Sequence, residues 1–278
     1  MIEINNLSFK YGKKSVLKDI TLQLEAGKIY GLLGENGVGK TTLLKIISGL
    51  QKPSSGSCTV KGEHPFDRTP SFLSNIYYLP EELEYIQTDH TSNGFAKLNG
   101  TFYPNFDFAK FQTILKDFSV IPNQKLYKLS LGQAKKAAIA FAIATNTDLL
   151  LMDEPSNGLD IPSKTLFRRI ISEYCLDTTC TVISTHQVRD LENLIDPIII
   201  LDNHAVLLNE SLERISEKLY FNMELVSPKE PLYAEPTLGG FVCVTENKGF
   251  GESRVNLEAL FNTTMMHKNK IVELFKQA

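Results

Sequence analysis

From residue 17 to 33 the chain alternates apolar and polar positions in LKDITLQL, then runs apolar in IYGLL, with Gly27 between the two. A period of two marks a half-buried strand, and a short apolar run bounded by turn residues marks a buried one. The preceding stretch, IEINNLSFKYGKKSVL, reads as strands broken at Gly12, and KPSSGSCTVKGE as a turn with a further short strand. Two later runs, DLLLMDEP and CTVISTH, are again short and apolar, and LDIPSKTLFRRIISEYC between them reads as a helix. Apolar strands alternating with helices predict a parallel sheet covered on both faces. IIILDNHAVLLNE predicts a hairpin that turns at Asp202, Asn203 and His204.

The period changes to a helical one from about residue 85 to 145. FDFAKFQTILKDF sets Phe108, Phe111, Leu115 and Phe118 near helical spacing, with Asp107 as N-cap and Pro122 past the end. The small residues of AAIAFAIA suit a buried helix, and no apolar run approaches the ~20 residues of a membrane-spanning helix. Beyond residue 210, YFNMELV and GFVCVTE read as strands and LEALF as an amphipathic helix. No internal repeat is present.

GENGVGKTT, residues 34–42, follows the IYGLL strand and opens the helix KTTLLKIISGL. It fits G-x-x-x-x-G-K-[ST], with Gly34, Gly39, Lys40 and Thr41 at the defining positions and Asn36, Gly37, Val38 and Thr42 completing the loop. Successive backbone N–H groups in such a loop form an anion-binding concavity, and the helix dipole adds positive charge behind it. Lys40 would reach the β- and γ-phosphates, and the Thr41 hydroxyl would sit on Mg²⁺. These residues predict a nucleoside triphosphate site. Asp153 and Glu154 end an all-apolar strand, where a carboxylate opens onto the ligand crevice of an α/β sheet. Asp153 is placed there to hold Mg²⁺ directly or through water.

Composition narrows the class. With 278 residues, 42% apolar and 22% charged, the chain is an ordinary globular protein of one or two domains. A formal charge of −3 speaks against a nucleic-acid binder, which usually carries a basic face. Cys58, Cys175, Cys180 and Cys243 make no C-x-x-C pair, so reduced thiols are expected rather than disulfides or a zinc site. The start, MIEINNLSFKY, lacks the apolar core of a secretory signal. If the protein works at a membrane, another chain is expected to supply the spans.

KLSLGQAKKAAIAFAIATNTDLLLMDEPSNGLD resembles the signature region of ATP-binding cassette (ABC) proteins, and the resemblance covers about residues 1–210. Leu129-Ser130-Leu131-Gly132-Gln133 is similar to that family's LSGGQ, with Leu131 in place of its first glycine. By the resemblance, Ser130, Gly132 and Gln133 grip the nucleotide of the opposite subunit; by themselves they would read as an ordinary Ser N-cap. The family assigns Asp153 to Mg²⁺ as its Walker B aspartate and Glu154 as general base, and Ser156 to Asp160 resemble its D-loop. His186, after TVIST, falls where the family has its switch histidine on the γ-phosphate. Tyr11 is similar to its adenine-stacking aromatic, with packing as the alternative. YYLPEELEY departs from the family: Glu81, or else Glu82, stands where a Mg²⁺-reaching glutamine is usual. GTFYPNFDF is either a docking surface for a partner's helix or a turn with the core face of the following helix.

The resemblance implies an α/β fold: a P-loop NTPase core with a mixed β-sheet, a helical insert at about 85–145 within a domain spanning 1–210, and a small C-terminal α+β extension, 211–278. It implies an ATPase with ATP and Mg²⁺, acting as a homodimer or a heterodimer with another cassette at the cytoplasmic face of the cell membrane. Its turnover would drive a separately encoded integral membrane subunit, and the short insert and YLPEE loop look more like an exporter. A soluble cassette serving cofactor assembly, DNA repair or translation is the alternative.

Overall fold

A six-stranded sheet runs through the centre of the molecule, and the computed structural model describes residues 1–276 apart from 176, 227 and 229. In chain order the strands are β1 (Ile2–Tyr11), β2 (Lys14–Leu24), β3 (Ile29–Leu33), β4 (Ser55–Val60), β5 (Ile76–Leu79), β6 (Leu149–Asp153), β7 (Cys180–Thr185), β8 (Ile198–Asp202), β9 (Ala205–Glu210), β10 (Leu219–Glu224), β11 (Tyr233–Thr237) and β12 (Gly240–Glu246). The helices are α1 (Lys40–Ile47), α2 (Pro70–Ser74), α3 (Ser92–Asn99), α4 (Phe108–Asp117), α5 (Leu131–Ala144), α6 (Ile161–Tyr174), α7 (Leu212–Lys218), α8 (Leu257–Met266) and α9 (Lys268–Lys276).

The central sheet has the order β5-β6-β7-β3-β8-β9, parallel throughout except for β9, which returns antiparallel to β8. β1, β2 and β4 form an antiparallel sheet, and β10, β12 and β11 another. The fold is therefore α/β with a mixed sheet, as expected. The period of two in the strands divides the core. Leu149 and Leu151 of β6 and Val182 of β7 join β1, β2, β4 and α1 in one apolar cluster. Leu150 and Met152 of β6 and Ile183 of β7 face the opposite way, into a larger cluster with α4, α5 and α6.

Local predictions are met at several points. Asp107 caps α4, accepting from the Lys110 N–H at 2.9 Å. The β8–β9 hairpin turns through Asn203 (φ 43°) and His204 (φ 71°), both left-handed, with Asp202 paired to Ala205; the primed turn suits the strand twist. All four cysteines are free, and burial pushes the Cys58 and Cys180 thiols up to about 12 and Cys175 up to about 11.

The C-terminal region holds a third strand, β11, carrying Pro236, which no hydrophobic alternation announced. Its Ile215, Leu219, Leu232, Val244, Leu260 and Ile271 share one cluster with Ile195, Ile198 and Ile200 of the cassette. Arg189–Glu258 and Lys268–Asp202 ion pairs, each 2.6 Å, tie α8 and α9 to it. In the aromatic stretch 100–108, Phe106 and Phe108 pack against the core, Phe106 lying 5.2 Å from the Phe141 ring, whereas Phe102 is 69% exposed.

Candidate functional site

The parallel register brings three strand ends together. Asp153 of β6 pairs with Ser184 of β7, and Thr185 of β7 pairs with Leu33 of β3. The segments that leave these ends are residues 154–160, 186–187 and 34–39, so the predicted groups converge at the carboxyl edge of the sheet, where α/β folds bind ligands.

Loop 34–39 is shaped by what surrounds it. A β-carbon on Gly34 would lie 2.5 Å from the Leu201 carbonyl oxygen. Gly39 has φ +115°, and a β-carbon there would lie 2.8 Å from Leu17 Cδ2, so both positions exclude a side chain. Gly39 offers no side-chain cap to α1, and the first turn of α1 has no acidic residue. The amides of Lys40, Thr41 and Thr42 thus begin a helix with no competing anion of their own. Lys40 is 5% exposed; its Nζ donates to the carbonyls of Gly34 (2.7 Å) and Glu35 (3.1 Å) and stands 3.5 Å from Glu154 Oε1.

Asp153 and Glu154 are both buried. Ser184 and Tyr78 donate hydroxyl hydrogen bonds to separate oxygens of Asp153, and burial followed by that carboxylate pushes the Tyr78 hydroxyl above its ordinary range. Glu154 Oε1 meets His186 Nδ1 at 2.9 Å, and Oε2 accepts from Thr185 at 3.3 Å. Its backbone is left-handed, φ 46°. A side chain held there costs on the order of 1–3 kcal/mol, which the surroundings must offset. Its N–H donates to the Ser184 carbonyl (3.2 Å), and its carbonyl accepts from Lys135 Nζ (3.0 Å). Lys135, on α5, also donates to the Asn157 carbonyl at 3.1 Å. Burial lowers the Lys135 ammonium from the ordinary lysine range, and the Glu81, Glu154 and Asp153 carboxylates raise it back in part.

The remaining predicted residues lie around this centre. Ser130 caps α5 in a reciprocal capping box with Gln133 and is exposed, and Leu131 beside it is 68% exposed. A β-carbon on Gly132 would lie 3.6 Å from the Gly158 carbonyl, so the start of α5 abuts loop 156–160. Asp160 caps α6 through the Ser163 N–H, and hydrogen bonding from the Ser163 side chain and then its backbone lowers the carboxyl from the ordinary range. Tyr11, half exposed, packs in a T-shaped contact against Phe9 at 4.8 Å. Of the two acids after β5, Glu81 is the one that reaches the centre, its Oε1 accepting from Asn157 Nδ2 at 2.8 Å.

Sequence reasoning assigned nothing to Lys135, Tyr78, Ser184 or Thr185. The signal for Lys135 was its place on the apolar face of the helix: Ala138, Ile139 and Ala142, three, four and seven residues on, are all buried. The strand hydroxyls gave no such signal, because threonine and serine are common in strands.

The ABC transporter family model matches residues 17–157. The chain is 32% identical over 236 residues to the ABC transporter ATP-binding protein YdbJ of Bacillus subtilis, covering 83% of this chain and 75% of that protein. It is 31% identical over 207 residues to the zinc import ATP-binding protein ZnuC of Buchnera aphidicola, covering 73% of this chain and 81% of that one. A solved structure named as a cobalt transport ATP-binding protein superposes with a TM-score of 0.67 at 25% identity, covering 94% of this chain and 96% of its own. The chain belongs to the ATP-binding proteins of ABC transporters. It is an ATP-binding subunit, an ATPase coupled to transport through a membrane partner. Import proteins stand among its relatives, so the cassette itself does not support the exporter direction expected above.

Proposed function

We propose that this chain binds Mg·ATP at residues 34–42 and hydrolyses it with Glu154 as general base, in a head-to-tail pair of cassettes. The observation that carries this is the gathering at the strand ends of buried Lys40, Asp153 and Glu154 with the more exposed His186, which contacts Glu154. The amides from Gly37 to Thr42 and the Lys40 ammonium hold the phosphates, and the half-exposed Tyr11 ring takes the base. Glu154, gripped by Thr185 and His186, accepts the proton of the attacking water.

Mg²⁺ fits the donors available. Thr41 and Asp153 are hard oxygen ligands, Tyr78 and Ser184 leave Asp153 with further lone pairs, and Glu81 lies close enough for its charge to act on Tyr78. Among the described residues no cluster of three His, Cys, Asp or Glu forms an all-protein cage, which suits an ion shared with phosphates and water. When bound, the ion neutralises phosphate charge; Thr41, Asp153 and Glu81 would hold it.

Ser130, exposed, and Gly132 and Gln133, half-buried, lie at the N-terminus of α5 and serve the nucleotide of the second cassette, a like or related chain. The membrane subunit docks in a cleft of about 1410 Å³ between the central sheet and the helical insert, lined by Tyr77, Tyr78, Tyr85, Phe95, Phe102 and Tyr103. Among the described residues no helix is long and apolar enough to cross a membrane. By its kinship with transporter ATP-binding proteins, the chain works from the cytoplasmic face against a separate spanning partner. Residues 1–210 form the catalytic unit and 211–278 the accessory extension packed on it.

Glu154→Gln tests the assignment. The amide keeps the size of the carboxyl but cannot accept the water's proton, so phosphate release should fall by about 10²- to 10⁴-fold while Mg·ATP still binds. ATP then favours the closed pair by mass action, and the variant should elute as a dimer with trapped nucleotide. Parental phosphate release would remove Glu154 from the chemistry.

A further inference from the structure

The α5 helix carries two functions at two of its turns. Its N-cap, Ser130, faces outward, while Lys135, five residues on, is 4% exposed and reaches into the catalytic segment of the same chain. Both hydrogen bonds of its ammonium go to main-chain carbonyls, Glu154 at 3.0 Å and Asn157 at 3.1 Å. Asn157 in turn donates its N–H to the Glu154 carbonyl, at 3.2 Å, and its side chain to Glu81, at 2.8 Å. One cation therefore closes the turn 154–157 from outside.

That turn begins in an unfavourable place. Glu154 is a non-glycine residue with φ 46°, and this backbone sets the direction of its side chain toward Lys40 and His186. Ser184 pins the peptide before Glu154 through the residue's N–H. Lys135 pins the peptide after it. An apolar residue would fill a buried position on a helix at lower desolvation cost than an ammonium. A lysine there is explained by what it holds.

Building on the assignment of Glu154 as general base, we infer that Lys135 is a positioning residue for ATP hydrolysis: it fixes the left-handed turn that aims the Glu154 carboxylate and joins that turn rigidly to the Ser130 end of α5. A second cassette's nucleotide meeting Ser130 would then bear on Glu154 of the same chain through one helix of 14 residues. Glu81 belongs to this linkage through Asn157, which gives the unusual acid at that position a contact besides any metal.

Lys135→Met keeps the apolar stem and removes the donor and the charge. A displacement of about 1 Å in a reacting group costs up to about 10²-fold, so kcat in the full chain with Mg·ATP should fall by about 10- to 100-fold. KM and nucleotide affinity should stay within about threefold, because the P-loop contacts are untouched. Lys135→Gln retains a donor and should recover part of the loss. Adding Lys135→Met to Glu154→Gln should slow single-turnover hydrolysis no further, since residues acting through one group are not additive.

Parental kcat in Lys135→Met, beside an inactive Glu154→Gln, overturns the inference alone. A multiplicative loss in the double variant also overturns it, because Lys135 would then act elsewhere. Loss of the folded circular-dichroism spectrum in both Lys135→Met and Lys135→Gln would make the lysine a folding residue and overturn it as well. Parental turnover in Glu154→Gln alone removes the base assignment and this inference together.

Discussion

The P-loop and the signature segment both end at helix N-termini, yet one is turned inward and the other outward. Lys40 at the start of α1 is buried, bonded to two carbonyls of its own loop and 3.5 Å from Glu154. Ser130 at the start of α5 is exposed and bonded to its own helix, and Leu131 beside it is 68% exposed. The first end is assembled by the tertiary fold of a single chain. The second is complete as a helix cap and incomplete as a ligand site. Under the proposed function the difference divides one active site: the chemistry would be organised inside a chain, and recognition of the bound nucleotide would be offered to a neighbour.

This contrast makes variants at the two ends separable. Lys40→Ala should have the larger effect on binding. A charge-assisted contact is worth up to about 3 kcal/mol, so ATP affinity measured by calorimetry with Mg²⁺ should fall about 100-fold. Equal affinity in variant and parent would undo the P-loop assignment. Tyr11→Ala, at the edge of the same inward site, loses one stacking face, and affinity should drop about tenfold without a change in kcat. A loss of thermal stability without a loss of affinity would return Tyr11 to a packing role.

Ser130→Ala sharpens the comparison from the outward end. ATP affinity of the single chain should be unchanged. Turnover at high protein concentration should fall about fivefold or more, as for the loss of one hydrogen bond of about 1 kcal/mol to the second cassette's nucleotide. If affinity falls as it does for Lys40→Ala, the two ends belong to one chain's site and the division is wrong.

The helical region and the C-terminal region differ in how far patterning could describe them. α4 was visible because Phe111, Ile114 and Leu115 recur at helical spacing on its buried face and Asp107 caps it locally. β11 was not visible: its sequence YAEPT has no apolar alternation, and it exists because it pairs with β12, residue by residue from Tyr233–Val244 to Thr237–Gly240. A boundary near residue 210 matched a change in pattern, yet Leu219, Val244 and Leu260 share the cassette's own core. Cutting there would expose that surface. Which core an apolar residue joins depends on contacts far away in the chain.

Local chemistry alone determined the phosphate loop, the paired acids after an apolar strand, and the serine cap of α5. Each is a short run whose backbone demands, such as glycine where no β-carbon fits, are written in adjacent residues. The tertiary structure decided what no window of sequence contains. It brought Glu81 within 2.8 Å of Asn157, and it split residues 100–108 between core and cleft. It also turned Lys135 from one lysine in a basic pair into the clamp on Glu154, across 19 residues of chain. Hydrogen bonds between distant segments are selected by strand order and helix packing, and those follow from burial summed over the whole molecule.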